Sequence, residues 1–390
     1  MRRSDATSTV HVNTPFVKRE QEKNPKTPHS SQYANTPLVV LNSRIQNHIK
    51  YPRTVAVCEQ SHNGIKPSGL LLRVVNSMVN VSVVISTYSE SKLKCVLDCI
   101  ESLNRQSVLP SEIILVVDPR PELADFYRSR LPSHVKVLMS SGFGLSNARN
   151  AGVKNSAGDI VAFIDDDARA DQHWIRNLIR SYDDPSVLGV GGYAHPVWDG
   201  GSPIWFPEEL NWIVGCSYKG LPEHKAIVRN PIGCNMSFRR SVFDTVGFFR
   251  TDVGRFGSTL LAGEEPELSM RILSKFPESR IVYDPAAVVY HKVPKGRRKL
   301  AYFIRRSFYQ GISIALFKPR EPTFKKGLST ENEYLRYLVE VAIPSRVKHA
   351  YQLKNLSHLM IISFSTIAVL FGFSIAEIGR RQVIFKWNNV

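Results

Sequence analysis

From Val81 onward the chain alternates two hydrophobic rhythms. Val81-Ser82-Val83-Val84-Ile85-Ser86-Thr87 is a nearly continuous β-branched run, the pattern of a strand buried on both faces. Lys92 to Gln106 then carries Leu93, Val96, Leu97, Ile100 and Leu103 at helical spacing. Glu112–Val117 predicts a second strand ending at Asp118, followed by a helix around Leu123–Ser129 and a strand at Val135–Met139. A Gly-containing turn leads into a helix at Ser146–Ser156, and a strand at Ile160–Ile164 ends at Asp165. Such alternation predicts right-handed βαβ units and a Rossmann-like α/β fold, its mainly parallel sheet flanked by helices. Ligands bind these sheets beyond the carboxyl ends of strands, where Asp118 and Asp165 both fall.

Further elements follow: a helix at Gln172–Ser181, a strand at Val187–Tyr193, and a Trp- and Pro-rich excursion from Trp198 to Trp212 expected to loop over the site. Asn235–Phe238 predicts a strand, Arg240–Val246 and Glu265–Lys275 helices, and Arg280–Tyr283 and Ala287–Tyr290 two more strands. Residues 1–77 are rich in polar residues in their first fifty and carry only short apolar pieces after that, so they are expected to be largely disordered or poorly ordered. A catalytic domain is expected at 78–320, starting beside Met78, with a basic, helical C-terminal region at 321–390. Within that region residues 359–376 form 18 uncharged positions, at the threshold of the ~20 needed to span a bilayer.

Charge sharpens this picture. The chain carries 51 Lys+Arg against 34 Asp+Glu, a net +17, which points to anionic partners. Between Lys295 and Lys354 stand 14 basic residues against 4 acidic ones, immediately before the apolar run. That placement favours an anionic membrane surface over nucleic acid, for which no recognition motif is present. The five cysteines (Cys58, Cys95, Cys99, Cys216 and Cys234) show no zinc spacing and no disulfide framework, so they read as buried structural thiols.

The strongest chemical signal is Phe163-Ile164-Asp165-Asp166-Asp167, three carboxylates at a strand end. Adjacent carboxylates repel unless a cation neutralises them, and hard oxygens suit Mg²⁺ or Mn²⁺. Gly144-Leu145-Ser146-Asn147-Ala148-Arg149 opens a helix whose arginine has the fork to meet a phosphate. Gly263-Glu264-Glu265-Pro266-Glu267 places carboxylates at a helix start, where one can act as general base. His291 ends a strand and is a candidate third metal ligand.

Taken in order, these motifs and Gly233-Cys234-Asn235-Met236-Ser237-Phe238-Arg239-Arg240 resemble family 2 glycosyltransferases over roughly Val81 to Lys318. The resemblance implies a GT-A fold and an inverting transfer from a nucleotide-sugar, UDP-linked in the first instance. It puts Thr87, Tyr88, Glu90, Asp118, Arg149, Asp165 and Asp166 on the nucleotide-sugar. It puts Asp165, Asp167 and His291 on the metal, Glu265 or its neighbour Glu264 as the base, and Asn235 and Arg239 on the acceptor side. Glu265 stands where the family has Asp, and Asp118-Pro119-Arg120 departs from the family's paired acid and Gly-Ser turn. A narrower similarity, through Tyr290-His291-Lys292-Val293-Pro294 and Arg297–Phe308, is to archaeal transferases that extend dolichyl-phosphate-linked glycans. It implies a lipid-linked acceptor and a cell-membrane location with the catalytic domain cytoplasmic. A polyprenyl-phosphate sugar synthase is the nearest rival, since its acceptor is already ionised and needs no base. A nucleotidyltransferase is disfavoured, because Thr87-Tyr88-Ser89-Glu90 has neither Gly nor Lys.

Overall fold

The computed structural model describes residues 79–254, 260–317 and 329–387. Residues 1–77 and 321–328, to which the sequence assigns disorder and part of the basic region, lie outside the described residues. In chain order the strands are β1 (Val81–Thr87), β2 (Glu112–Val117), β3 (Val135–Met139), β4 (Ile160–Asp165) and β5 (Ala168–Ala170). They continue as β6 (Val187–Trp198), β7 (Ala226–Val228), β8 (Asn235–Arg239) and β9 (Arg280–Val293). The helices are α1 (Leu93–Asn104), α2 (Pro121–Arg128), α3 (Leu145–Lys154), α4 (Trp174–Ile179), α5 (Arg240–Val246) and α6 (Glu264–Lys275). Four more complete the chain: α7 (Leu300–Phe317), α8 (Ser329–Tyr337), α9 (Ile343–Lys348) and α10 (Leu353–Trp387).

One sheet runs β3-β2-β1-β4-β8-β6-β9-β5, with β7 added on β9. The half from β3 to β4 is parallel, as the βαβ rhythm predicts. Beyond β4 the sheet is mixed rather than mainly parallel. β8 runs antiparallel to both β4 and β6, and β5 and β7 run antiparallel to β9. Antiparallel neighbours need no helical crossover, and the connection from β6 through β7 to β8 contains only a 3₁₀ turn at Glu208–Val214. The two strands expected at Arg280–Tyr283 and Ala287–Tyr290 are one, β9.

Alternation along the central strands sorts side chains into two cores. Val83, Ile85, Ile113, Leu115 and Val117 pack with Val96, Ile100 and Leu103 of α1 and Leu123 of α2. Val84, Ile114, Val116 and Phe163 face the other way, against Val153 of α3, Phe243 of α5 and Leu268 of α6. A third cluster draws in the C-terminal helices. Phe206, Leu210, Ile213, Val293 and Phe303 pack with Leu338, Ala342 and Ile362. The Trp-rich excursion is therefore folded against α7 and α10. The expected boundary at residue 320 lies outside the described residues.

α10 contains the apolar run 359–376. Leu353–Gly379 is long and apolar enough to cross a membrane by length and composition, and 17 % of its apolar window is buried. Met360, Phe364, Ile367, Leu370 and Phe371 are each more than half exposed. The helix is anchored by close packing on α7 at two glycines. A Cβ on Gly311 would lie 1.9 Å from the Val369 carbonyl oxygen, and one on Gly372 would lie 2.0 Å from that of Phe308. Small residues let helix backbones approach in this way. Gly→Ala inside a helix normally stabilises by ~1 kcal/mol. Here the sign should reverse, because backbone must move: Gly311→Ala should lose ~1–3 kcal/mol in thermal or denaturant unfolding. An unchanged or raised midpoint would mean the helices do not cross this closely.

Candidate active site

The site gathers where β1, β2, β4 and β9 end and α6 begins. Asp165 is the last residue of β4, with its side chain 34 % exposed, while Asp166 and Asp167 turn inward. Thr87 at the end of β1 donates its hydroxyl to Asp166 at 2.7 Å. Lys92 extends from the turn before α1 and ties Asp166 at 3.2 Å and Asp167 at 2.7 Å. β9 pairs antiparallel with β5, Ala168 opposite His291, which brings the imidazole to the acidic turn. His291 Nε2 stands 3.2 Å from Asp167 and 3.9 Å from Asp165, and Nδ1 is 3.3 Å from Cys216 Sγ.

These contacts set the charges. Burial pushes the Asp166 carboxyl up, the neighbouring Asp167 pushes it further, and its pKa lies at about 6. Burial also opposes ionisation of Asp167, but His291 and Lys92 outweigh it and hold that carboxyl well below the usual range. Burial disfavours charge on His291 as well. The Cys216 sulfur and Asp167 overcome that, and the imidazole pKa rises to about 10. Asp165, Cys234 and His291 offer ligand atoms that all lie within 4.8 Å of one another, an acidic, sulfur and imidazole group able to hold a metal ion.

Arg149, buried in α3, ties this acidic turn to α6. Its Nη1 lies 3.2 Å from Glu264 Oε1, its Nη2 donates to the Gly233 carbonyl at 3.0 Å, and Asp165 is 3.8 Å away. Gly263 precedes α6 at φ 119°, a left-handed conformation that glycine adopts without strain. Pro266 falls in the first turn, where a missing N–H costs no helical hydrogen bond. Glu265 is partly exposed, and its Oε2 has no hydrogen-bond partner. Burial and the charge of Glu264 raise its pKa to about 7 against the pull of Arg149. A cavity of ≈ 510 Å³ opens onto Arg149, Asp165, Glu264 and Glu265. It continues between α7 and α10, lined there by Ile314, Val369, Leu370 and Phe373.

The structure brings together Thr87, Asp118, Arg149, Asp165, Asp166, Asp167, Glu264, Glu265 and His291 at this edge. Tyr88 and Glu90 follow β1 and are exposed. Asp118, at the end of β2, is raised by burial and steadied by the Gly144 backbone N–H. Two expectations need correction. Asn235 is fully buried: its Oδ1 accepts from Trp174 Nε1 at 2.8 Å and its amide donates to the Tyr193 and Ala287 carbonyls. Arg239 pairs with Ile160, at the opposite end of β4 from Asp165, and donates to the Val187 and Tyr182 carbonyls. Neither lines the cavity. Sequence reasoning also missed Lys92, whose position five residues after Thr87 is its only sequence signal, and Cys234, which it assigned to the core.

The signature of glycosyl transferase family 2 matches residues 82–247. The chain is 34 % identical over 318 residues to glucosyl-dolichyl phosphate glucuronosyltransferase of Haloferax volcanii, covering 80 % of this chain and all of that protein. It is 24 % identical over 242 residues to succinoglycan biosynthesis protein ExoM of Rhizobium meliloti, covering 60 % of this chain and 74 % of that one. Among solved structures it is similar to a mannosyltransferase of Pyrobaculum calidifontis, with TM-score 0.49, 17 % identity, and 76 % and 86 % of the two chains covered.

Removing one partner of a buried ion pair strands the other, typically at 3–5 kcal/mol. The Lys92 side chain is 22 % exposed, so Lys92→Met should cost somewhat less, about 3 kcal/mol in denaturant unfolding. Saturating Mn²⁺ should restore part of the loss by neutralising the same carboxylates. Unchanged stability would show that the acidic turn does not depend on this ammonium.

Proposed function

This chain is a glycosyltransferase of family 2, and we propose that it moves a sugar, with inversion, from a UDP-sugar to a hydroxyl of a lipid-linked saccharide at a membrane. The observation that carries the reading is the division of labour at the start of α6. Arg149 engages Glu264 Oε1, while Glu265, whose Oε2 has no hydrogen-bond partner, has its pKa raised to about 7, the state of a general base. Glu265 takes the acceptor's proton as the hydroxyl attacks the anomeric carbon. One displacement needs no second carboxylate nucleophile, so configuration inverts. Thr87, Tyr88, Glu90 and Asp118, around the ends of β1 and β2, would hold the nucleoside. Asp165, Asp167 and His291 would hold Mn²⁺ or Mg²⁺, and their donor chemistry and the spacing at the acidic turn fit such an ion. Bound there, the cation supplies charge to stabilise the leaving diphosphate. Arg149, 3.8 Å from Asp165, adds positive charge beside it.

Support for the acceptor comes from the cavity, which runs from the carboxylates to apolar side chains of α7 and α10. A saccharide head beside Glu265 and an isoprenoid tail between the helices match that gradient. The exposed apolar face of α10 and the basic residues before it support docking on an anionic bilayer, at ~1 kcal/mol per basic residue near the surface. We place the catalytic domain on the cytoplasmic side. The name of the Haloferax relative, a glucosyl-dolichyl phosphate glucuronosyltransferase, agrees with this acceptor class.

The full chain in membranes, given a panel of nucleotide-sugars with Mn²⁺, should release one nucleoside diphosphate and label a lipid fraction. Release with every donor but no labelled lipid would sink the acceptor assignment. Glu265→Gln should lower kcat ~10²–10⁴-fold with nearly unchanged donor affinity, and Glu264→Gln should matter less. Near-normal turnover in both would favour a polyprenyl-phosphate sugar synthase. Because the base works ionised and its pKa is raised to about 7, kcat should fall about tenfold per pH unit below 7 and level off above it. A rate independent of pH between 5 and 8 (roughly the window in which a group near 7 titrates) would contradict that role.

A further inference from the structure

We propose that Cys234 is a metal ligand, so that a thiolate joins Asp165, Asp167 and His291 and the site takes thiophilic divalent ions in preference to Mg²⁺. The proposal deepens the metal part of the reading above and rests on the site binding a divalent ion. Proximity makes the first argument. Asp165 is the last residue of β4, and Cys234 stands just before β8, the antiparallel neighbour of β4, in a turn closed by the Asn235 N–H donating to the Ile232 carbonyl at 2.9 Å. The Cys234 Sγ, an Asp165 carboxylate oxygen and a His291 ring nitrogen lie within 4.8 Å of one another.

The surroundings make the second argument. Cys234 is 4 % exposed, and its thiol has only a weak contact, to the Gly215 carbonyl at 3.3 Å. On the far side of the imidazole, Cys216 sits 3.3 Å from His291 Nδ1 and turns Nε2 toward the carboxylates. An outer partner of this kind orients a ligating histidine. Asp167, 3.2 Å from His291 Nε2, lies beside this group and would complete it as a fourth donor. One sulfur, one imidazole nitrogen and two carboxylates are a set suited to Zn²⁺ or Co²⁺, whereas Mg²⁺ wants oxygen and water alone. On binding, the thiol proton of Cys234 and the Nε2 proton of His291 leave to solvent, and sulfur and nitrogen lone pairs take their place on the ion.

The test is optical and needs no turnover. The purified full chain, titrated with Co²⁺, should develop a near-ultraviolet sulfur-to-cobalt charge-transfer band that saturates at one ion. Cys234→Ser should lose the band while still binding Co²⁺. Cys95→Ser, on α1 and outside the group, should keep it. Zn²⁺ affinity should fall in Cys234→Ser by at least ~10–100-fold, the loss already caused by removing outer-shell partners. Cys234→Ala serves the same purpose should the serine variant misfold. Cobalt binding without the band, or a band that survives both substitutions at Cys234, overturns the proposal and leaves the oxygen–imidazole site standing. No divalent ion bound at all would overturn both this and the metal in the proposed function.

Discussion

Three consecutive carboxylates at the end of a central strand are the constraint on which the rest of this site depends. Two unit charges ~5 Å apart repel by about 3 kcal/mol at an effective dielectric near 20, and burial raises the cost further. The fold answers with cations from three separate elements. Lys92 comes from the turn before α1, His291 from β9 and Arg149 from α3. Each can arrive only if the carboxyl ends of β1, β4 and β9 meet at one edge of the sheet. Charge compensation and topology are therefore one requirement. The turning inward of Asp166 and Asp167 also leaves Asp165 as the member of the triplet most open to the cavity.

The same logic separates the paired glutamates. α6 begins with two carboxylates that its positive end tolerates, but a single buried arginine stands close enough to pair with one of them. Arg149 meets Glu264, so Glu264 holds α6 against α3 and the acidic turn. Glu265 is left with an unsatisfied oxygen and a raised pKa at the mouth of the cavity. A base that is half ionised near neutrality needs no further tuning. Beyond it the cavity becomes apolar, because its outer wall is made by helices whose remaining face is itself unburied.

Much of this was readable from the chain. β1, β2, β3 and α5 match their expected bounds, and β4 and α6 differ by one residue, because alternation and helical spacing are local signals. The acidic turn and the paired glutamates were legible for the same reason: their residues are neighbours in sequence. What escaped depends on distant contacts. Lys92 looks like an ordinary first residue of a helix until β4 brings Asp166 and Asp167 beneath it. Asn235 and Arg239 sit in a motif that resembles a binding segment. The antiparallel register of β8 buries one among backbone carbonyls and carries the other to the far end of β4. The turn that leads into β8 brings Cys234, read as a structural thiol, beside Asp165. The mixed half of the sheet was missed because β5 and β7 are three-residue strands that exist only by pairing with β9.

The central claim is that one ionised carboxylate, Glu265, drives a single displacement at the anomeric carbon. The most direct test is the anomeric configuration of the glycolipid product, read from the proton–proton coupling at the newly formed linkage with a donor of known anomer. The account predicts inversion at that centre. Retention would require a second displacement or a front-face route, and would contradict it.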